Sequence, residues 1–423
     1  LYEGGRYVVQ EAAAVSASVF KYLDRALKYD KKLDDSVPFL PTRNKVNETI
    51  HALQALTLVP KAQAPMWISG TKGANDYVAV ADGLLHLPTQ TLKPHTPDFF
   101  NLTALPFAWA GSEGEPTEWL AFLDALWPGD EESKATLQTI FGYLLSSDTS
   151  QQKMFLIKGP PRSGKGTIAR VLGALLGEEN AVSTSFAQLS QTPFGLESLI
   201  GKSLAFLPEA RNTGGRHSNI QVAVERILSI TGEDNVSVER KGQKAWQGKL
   251  PTRFFMMANE VPALGDSTEA FASRFIALKT TKSFLGHEDR GLTDRLLLEL
   301  PQIMRWGLEG YELLKQQGRF VAPLASEELM EDIADGNNHV RVFLKECCDV
   351  HHEHEVTKNE VYEAYQSWCI DMGRRADAKN IFFSSLINAN SQISTSDTYR
   401  KGKRVFLVLG LRVKDCMFQE LLD

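Results

Sequence analysis

The sequence predicts an α/β protein: a phosphate-loop core preceded by a mixed α/β-helical region and followed by a winged-helix-like domain. Three observations predict it. From Met154 to about Leu278, short apolar runs alternate with helical patterns, the order that builds a sheet covered by helices. A glycine-bounded loop, starting at Gly159, lies between one such run and a helical stretch. After about residue 338 the order becomes helix, helix, hairpin, which is compatible with a small winged helix-turn-helix module.

Length and composition set the frame. At 423 residues the chain exceeds what one hydrophobic core usually supports, so two to four domains are expected. Hydrophobic residues make up 43% and charged residues 23%, and no apolar run approaches the roughly 20 residues of a membrane-spanning helix. Four cysteines (Cys347, Cys348, Cys369, Cys416) without a CxxC spacing argue against a disulfide framework or a zinc ribbon and fit a reducing cytoplasm. A start at Leu1, without initiator Met or a basic-then-apolar leader, is expected of an excised fragment with no signal peptide. The net charge of −6 gives no global sign of a nucleic-acid binder, so local clusters must decide that point.

Hydrophobic period and Gly/Pro punctuation suggest four parts, at 1–107, 108–150, 151–325 and 338–423. The first reads as an Ala-rich helix near residues 11–28 followed by short apolar runs, and carries no readable chemistry. The second reads as a helical collar: Trp119, Leu120, Leu123 and Leu126, then Leu137, Ile140, Phe141 and Leu144, recur at three- and four-residue steps on two amphipathic helices broken at Trp127-Pro128-Gly129. The third holds the core and ends in a helical extension over residues 291–315. In the fourth, Thr357 with Glu360 is a possible capping box, residues 381–387 read as a second helix, and residues 405–409 as a strand.

Strand Met154-Phe155-Leu156-Ile157 leads into Gly159-Pro160-Pro161-Arg162-Ser163-Gly164-Lys165-Gly166-Thr167 and then a helix. Such a loop presents backbone N–H groups and a helix N-terminus to an anion, and Lys165 is placed to reach the β- and γ-phosphates of ATP. The run departs from the common pattern in one place: Gly166 follows the lysine and the hydroxyl arrives at Thr167, which leaves open whether Thr167 ligates Mg²⁺ directly, through water, or not at all. An acid at a neighbouring strand end is expected to hold the ion or activate water. Ser203-Leu204-Ala205-Phe206-Leu207-Pro208 ends in Glu209, which supplies one. A further strand, residues 253–258, ends in Asn259, an amide suited to orienting the attacking water or simply to forming the turn before Pro262.

Taken together, the ordered motifs resemble the superfamily 3 helicases, in particular the primase-helicase family of satellite phages, plasmids and large DNA viruses including poxviruses. The matching pieces are the loop Gly159 to Thr167, the strand to Glu209, Thr231-Gly232-Glu233-Asp234 through Lys241, the strand to Asn259, and Ser273-Arg274-Phe275. The resemblance implies an AAA+-like ATPase core working as a ring, usually hexameric, with ATP between subunits and single-stranded or forked DNA in the centre. Residue by residue it implies that Lys165 and its loop bind phosphates, Glu209 is the acid of the second motif, Asn259 the sensor, and Arg274 an arginine finger for the neighbour's ATP. On its own, Arg274 reads equally as a surface ion-pair residue. It also implies an upstream primase or polymerase domain as a partner; no primase site is recognisable in these residues.

Residues 236–246 alternate and then turn, the pattern of a β-hairpin with a basic tip, and the resemblance places Lys241 and Lys244 against DNA phosphates. His351-His352-Glu353-His354 lacks helix-spaced metal-ligand geometry and reads as a solvated loop. Arg400, Lys401, Lys403 and Arg404 suit either the wing of a DNA-binding module or a plain hairpin. Two other functions compete: a nucleotide kinase, because Gly-Lys-Gly-Thr also resembles the loop of adenylate kinases, and a replication initiator that binds ATP and DNA without unwinding.

Overall fold

The computed structural model describes residues 1–59, 64–208, 217–259, 273–324, 326, 329–330, 339–373, 375–390, 392–400 and 403–414. Its centre is a five-stranded sheet in the spatial order Ala181–Ser183, Leu204–Pro208, Arg253–Ala258, Met154–Lys158, Phe275–Lys279. Every pairing in it is parallel. Parallel strands need crossover connections that cover both faces, which explains why these strands read as continuous apolar runs rather than alternating ones.

Side-chain period divides the apolar residues between two cores. Phe155, Ile157, Phe255, Ile276 and Leu278 point to one side, against Ile168, Val171 and Leu172 of the helix after the loop and against the helices on either side of the core. Met154, Leu156, Phe254, Met256 and Ala277 point to the other, against Val224 and Ile227 of helix His217–Thr231.

The predicted amphipathic pair is present as helices Thr117–Leu126 and Glu131–Leu145. The predicted extension is two helices, Leu292–Leu298 and Leu300–Gln317, meeting at Glu299. That break has a use: the Glu299 carboxylate accepts hydrogen bonds from the backbone N–H groups of Glu118 and Trp119, both at 2.9 Å, and so caps the first helix of the pair. Helix Leu300–Gln317 lies along Glu131–Leu145 so closely that a Cβ on Gly142 would overlap the Gly307 carbonyl and the Tyr311 backbone nitrogen.

Arg253 locks this helical layer to the sheet. Its guanidinium is buried and donates to the carbonyls of Tyr143 (2.8 Å), Ser146 (2.7 Å) and Asp148 (3.0 Å), at and just beyond the end of helix Glu131–Leu145, and to Ser203 (3.2 Å) just before the neighbouring strand. Burial lowers its pKa, and the carbonyls at a helix C-terminus are where a cation is best placed.

Before the core, a helix at Ala12–Asp24 matches the Ala-rich stretch, and strands Tyr77–Val80 and Gly83–His86 pair antiparallel. Residues 339–414 have their own core, around Phe343, Tyr365, Trp368 and Phe382. Their order is helix His339–Cys347, strand Cys348–Thr357, helices Lys358–Asp371 and Lys379–Ala389, and hairpin Ser394–Arg400 with Lys403–Val413. The capping box is formed: Glu360 N donates to Thr357 Oγ1 at 3.2 Å and Thr357 N to Glu360 Oε2 at 3.0 Å. One expectation is corrected. The histidine run is part of a strand rather than a loop, because flanking Val350 and Val356 pack on this core and carry the strand along Lys403–Val413. The register shifts between Val350 and Glu355, so the four charged and imidazole side chains fall at an irregularity. Among the described residues no group of three or more His, Cys, Asp or Glu is placed to hold a metal. None of their helices is long and apolar enough to cross a membrane.

Candidate functional site

The site lies where the parallel strands end. A cleft of about 420 Å³ is lined by Arg162, Ser163, Gly164, Lys165, Gly166 and Thr167 from the loop, Arg170 from the helix, and Pro208, Met257, Ala258 and Asn259 from two neighbouring strand ends. Crevices at the carboxyl ends of parallel strands, where the order reverses, are the usual ligand position of such sheets. Here strand Met154–Lys158 feeds the loop from between its two neighbours.

The loop is held open by close approach. A Cβ on Gly159 would overlap the Thr280 side chain, and Gly164, at φ 82°, would place one 2.7 Å from Leu126 Cδ2. Arg162 also takes a positive φ of 57°. Thr280 Oγ1 donates to Ser163 Oγ at 2.8 Å, Ser283 Oγ donates to Pro161 O at 2.8 Å, and Phe284 N to Arg162 O at 2.9 Å. The segment after strand Phe275–Lys279 therefore buttresses the outside of the loop.

Lys165 opens helix Lys165–Leu176 and is buried, its Nζ donating to Gly159 O and Pro160 O at 2.7 Å and to Ser163 Oγ at 3.2 Å. Its ammonium is thus folded onto the loop it shares with the helix N-terminus. The cradle, the helix dipole and the lysine together fit a polyphosphate: Gly159 and Gly164 let the loop pack closely on Thr280 and Leu126, and the helix N-terminus and Lys165 bring positive charge to the cleft. Thr167 is half-buried in the first turn, and its Oγ1 accepts from Arg170 Nη2 at 3.1 Å.

Of the residues predicted from sequence, Arg162 to Thr167 and Asn259 line this cleft, and Gly159 and Pro160 meet it only through Lys165, whose Nζ donates to their carbonyls. Glu209 lies outside the described residues; Pro208 before it lines the cleft. Arg274 does not approach its own loop. It precedes strand Phe275–Lys279, whose five residues span roughly 16 Å at about 3.3 Å each, and the loop lies at the other end. There Arg274 Nη1 donates to Gln152 Oε1 at 2.8 Å and Gln152 O at 3.3 Å, half-buried at the opposite edge of the sheet.

The basic hairpin is present, with Val236–Val238 antiparallel to Trp246–Gly248. At its tip Arg240 Nε and Nη2 donate to Lys244 O at 3.1 and 2.9 Å and Gly242 turns the chain at φ 72°. Lys241 and Lys244 are exposed, with no carboxylate partner among the described residues. In the later cluster Arg404 pairs with Asp397 at 2.7 Å, and Lys401 lies outside the described residues.

Three supporting residues escaped the sequence reading. Thr280 and Glu299 act across long sequence separations and leave no local signal, whereas Arg170, one helical turn after Thr167, could have been found from spacing.

Comparison with known proteins gives two family matches. Residues 157–274, from the loop through Arg274, match a family of unknown function, DUF5906. Residues 335–409, the C-terminal unit, match the family described as Poxvirus D5 protein-like, which supports a D5-type relationship for that part of the chain. An uncharacterised mitochondrial protein, ymf21 of Marchantia polymorpha, is 28% identical over 130 residues, covering 28% of this chain and 71% of that one. The apo structure of the NrS-1 C-terminal region is 13% identical with a TM-score of 0.48, covering 95% of this chain and all of that one; its A form gives 0.47 at 13% identity, covering 93% and 98%. Likenesses at this level fix neither fold nor function.

Proposed function

We propose that this chain is an ATP-hydrolysing DNA helicase that serves replication of a phage, plasmid or similar mobile element, in the cytoplasm of its host cell. The observation that carries the reading is the cradle at the carboxyl edge of the parallel sheet, with Lys165 buried in it and Asn259 at the adjacent strand tip. The strand order fits an AAA+-like core, the order of elements after residue 338 fits a winged helix, and the Poxvirus D5 protein-like match of that region supports the same family resemblance.

In this reading water attacks the γ-phosphorus of ATP, the bond to the bridging oxygen breaks, and ADP and phosphate leave. The loop N–H groups and Lys165 neutralise the charge on the phosphates, Asn259 orients the water, and Glu209 takes its proton. Mg²⁺ would be held by Thr167 and Glu209, and would supply Lewis-acid stabilisation of the phosphate oxygens. Arg274 sits too far from its own cleft to act there, so its guanidinium serves a neighbouring subunit's ATP in a ring, for which we propose a hexamer. Lys241 and Lys244 grip phosphates of single-stranded or forked DNA threaded through it, with an upstream primase or polymerase domain as a further partner.

The test is ATP hydrolysis with and without single-stranded DNA, and strand separation on a fork. Lys241→Ala with Lys244→Ala should keep basal hydrolysis and lose DNA stimulation and unwinding, with the salt dependence of DNA binding falling by about one log–log unit per lysine removed. Phosphate transfer to a nucleoside monophosphate would favour a kinase instead, and DNA-stimulated hydrolysis without unwinding a replication initiator.

A further inference from the structure

Resting on the reading of the cleft as an ATP site, we propose that Arg170 is a phosphate-binding residue. It supplies positive charge from the protein beside the loop position where this chain has Gly166 in place of a hydroxyl. The common loop has a serine or threonine there to hold the metal ion. Here that position carries no side chain, and the place beside it is taken by a cation: a Cβ on Gly166 would have Arg170 Nη1 as its neighbour, at 3.5 Å. The other end of the same guanidinium donates to Thr167 Oγ1 at 3.1 Å and lies 3.5 Å from Thr293 Oγ1. Arg170 thus spans both candidate hydroxyl positions of the first helical turn, on the wall of the cleft.

The neighbouring arginines show why this one is available to an anion. Arg162 Nε faces the Glu288 carboxylate at 3.6 Å, and Arg295 is held by Asp289 at 2.7 Å and Glu118 at 3.0 Å. Among the described residues Arg170 meets hydroxyls and no carboxylate. A guanidinium bonded only to neutral acceptors has no carboxylate for an incoming phosphate to displace, and its fork of donors matches two phosphate oxygens at once. It stands in the same first turns of the helix whose N-terminus already favours an anion. The consequence is specific: the chain's hold on the triphosphate depends less on a divalent ion than it would with a hydroxyl after Lys165 and no arginine.

The experiment is calorimetric titration of the full chain with ATP, once in excess Mg²⁺ and once in EDTA. In EDTA, Arg170→Ala should weaken binding by about tenfold or more, the loss expected for one charge-assisted fork, and by clearly less in Mg²⁺, where the ion supplies charge. Arg170→Lys should recover part of the loss in EDTA, because it restores charge without the fork. Gly166→Ser combined with Arg170→Ala should recover affinity in Mg²⁺ alone, since a Cβ at position 166 meets nothing closer than 3.5 Å and the added hydroxyl acts only through the ion. Arg170 is exposed, so an unchanged melting temperature for Arg170→Ala is expected and separates loss of binding from loss of fold. Wild-type affinity of Arg170→Ala in both buffers overturns the proposal while leaving the ATP site standing, and an equal loss in both overturns the part of it in which the guanidinium offsets the missing metal-binding hydroxyl. Absence of ATP binding by the wild-type chain in either buffer overturns the site and the proposal together.

Discussion

The parallel-sheet core and the C-terminal unit use charge in opposite ways. In the core, cations are brought inside: Lys165 lies on the loop that made the cleft, and Arg253 is buried among the carbonyls that end a helix. In the C-terminal unit the interior is aromatic, with Phe343, Tyr365, Trp368 and Phe382 packed together, and the charges stay on the outside, as with Arg404 against Asp397 and Arg412 against Asp349 at 3.0 Å. A buried cation must be satisfied by fixed acceptors and so fixes the backbone around it, whereas an exposed pair contributes little to stability. The core is therefore the part whose polar groups set geometry, and the C-terminal unit is held by ring packing and local caps.

That contrast can be broken most severely at Arg253. Replacing it with Met should cost about 3 kcal/mol or more, because several buried carbonyls lose a charged donor at once and each unsatisfied group costs about 1 to 3 kcal/mol. Amide exchange resolved by peptide should show the loss in the helix Glu131–Leu145 and the central strands, with residues 339–414 unchanged. An effect confined to the C-terminal unit would contradict the contrast.

A smaller cost is expected where the core depends on close packing alone. Gly142→Ala should destabilise by about 1 to 3 kcal/mol through overpacking, since the added methyl meets backbone of the facing helix and a backbone cannot rotate away. Urea unfolding monitored in the core should show it. Wild-type stability would mean that the two helices can slide apart freely.

The smallest effect belongs to the other region. Thr357→Ala removes one half of the capping box and should cost about 1 kcal/mol, read as faster exchange in the first turn of Lys358–Asp371 and nowhere in the core. Spread of the effect to the parallel sheet would show that the two regions are not held independently.

The same contrast explains what the sequence could reveal. The cradle was legible because its parts are contiguous: strand, Gly159, Gly164, Lys165 and the helix that follows lie within about two dozen residues. The helix pair, the capping box and the hairpin before Trp246 were legible for the same reason, each being a local period or a fixed offset. Arg253 reads from sequence only as the first residue of a strand, because its acceptors at the end of helix Glu131–Leu145 lie more than a hundred positions away and Ser203 lies 50 away. Strand Cys348–Thr357 was missed because its run of histidine and glutamate hides a pattern that only pairing with Lys403–Val413 makes sense of. Glu299 and Thr280 were invisible on the same grounds: each serves an element distant in sequence, and nothing in its own neighbourhood asks for it.

If the cleft at the carboxyl edge of the sheet binds and hydrolyses ATP, turnover depends above all on Lys165. The measurement is ATP turnover by Lys165→Ala beside the wild-type chain, with circular dichroism to confirm that the fold survives. DNA-stimulated turnover is expected for the wild type and a fall on the order of 100-fold or more for the variant, because the buried ammonium that would face the phosphates is gone while the loop backbone remains. Turnover by Lys165→Ala at the wild-type rate would contradict this expectation.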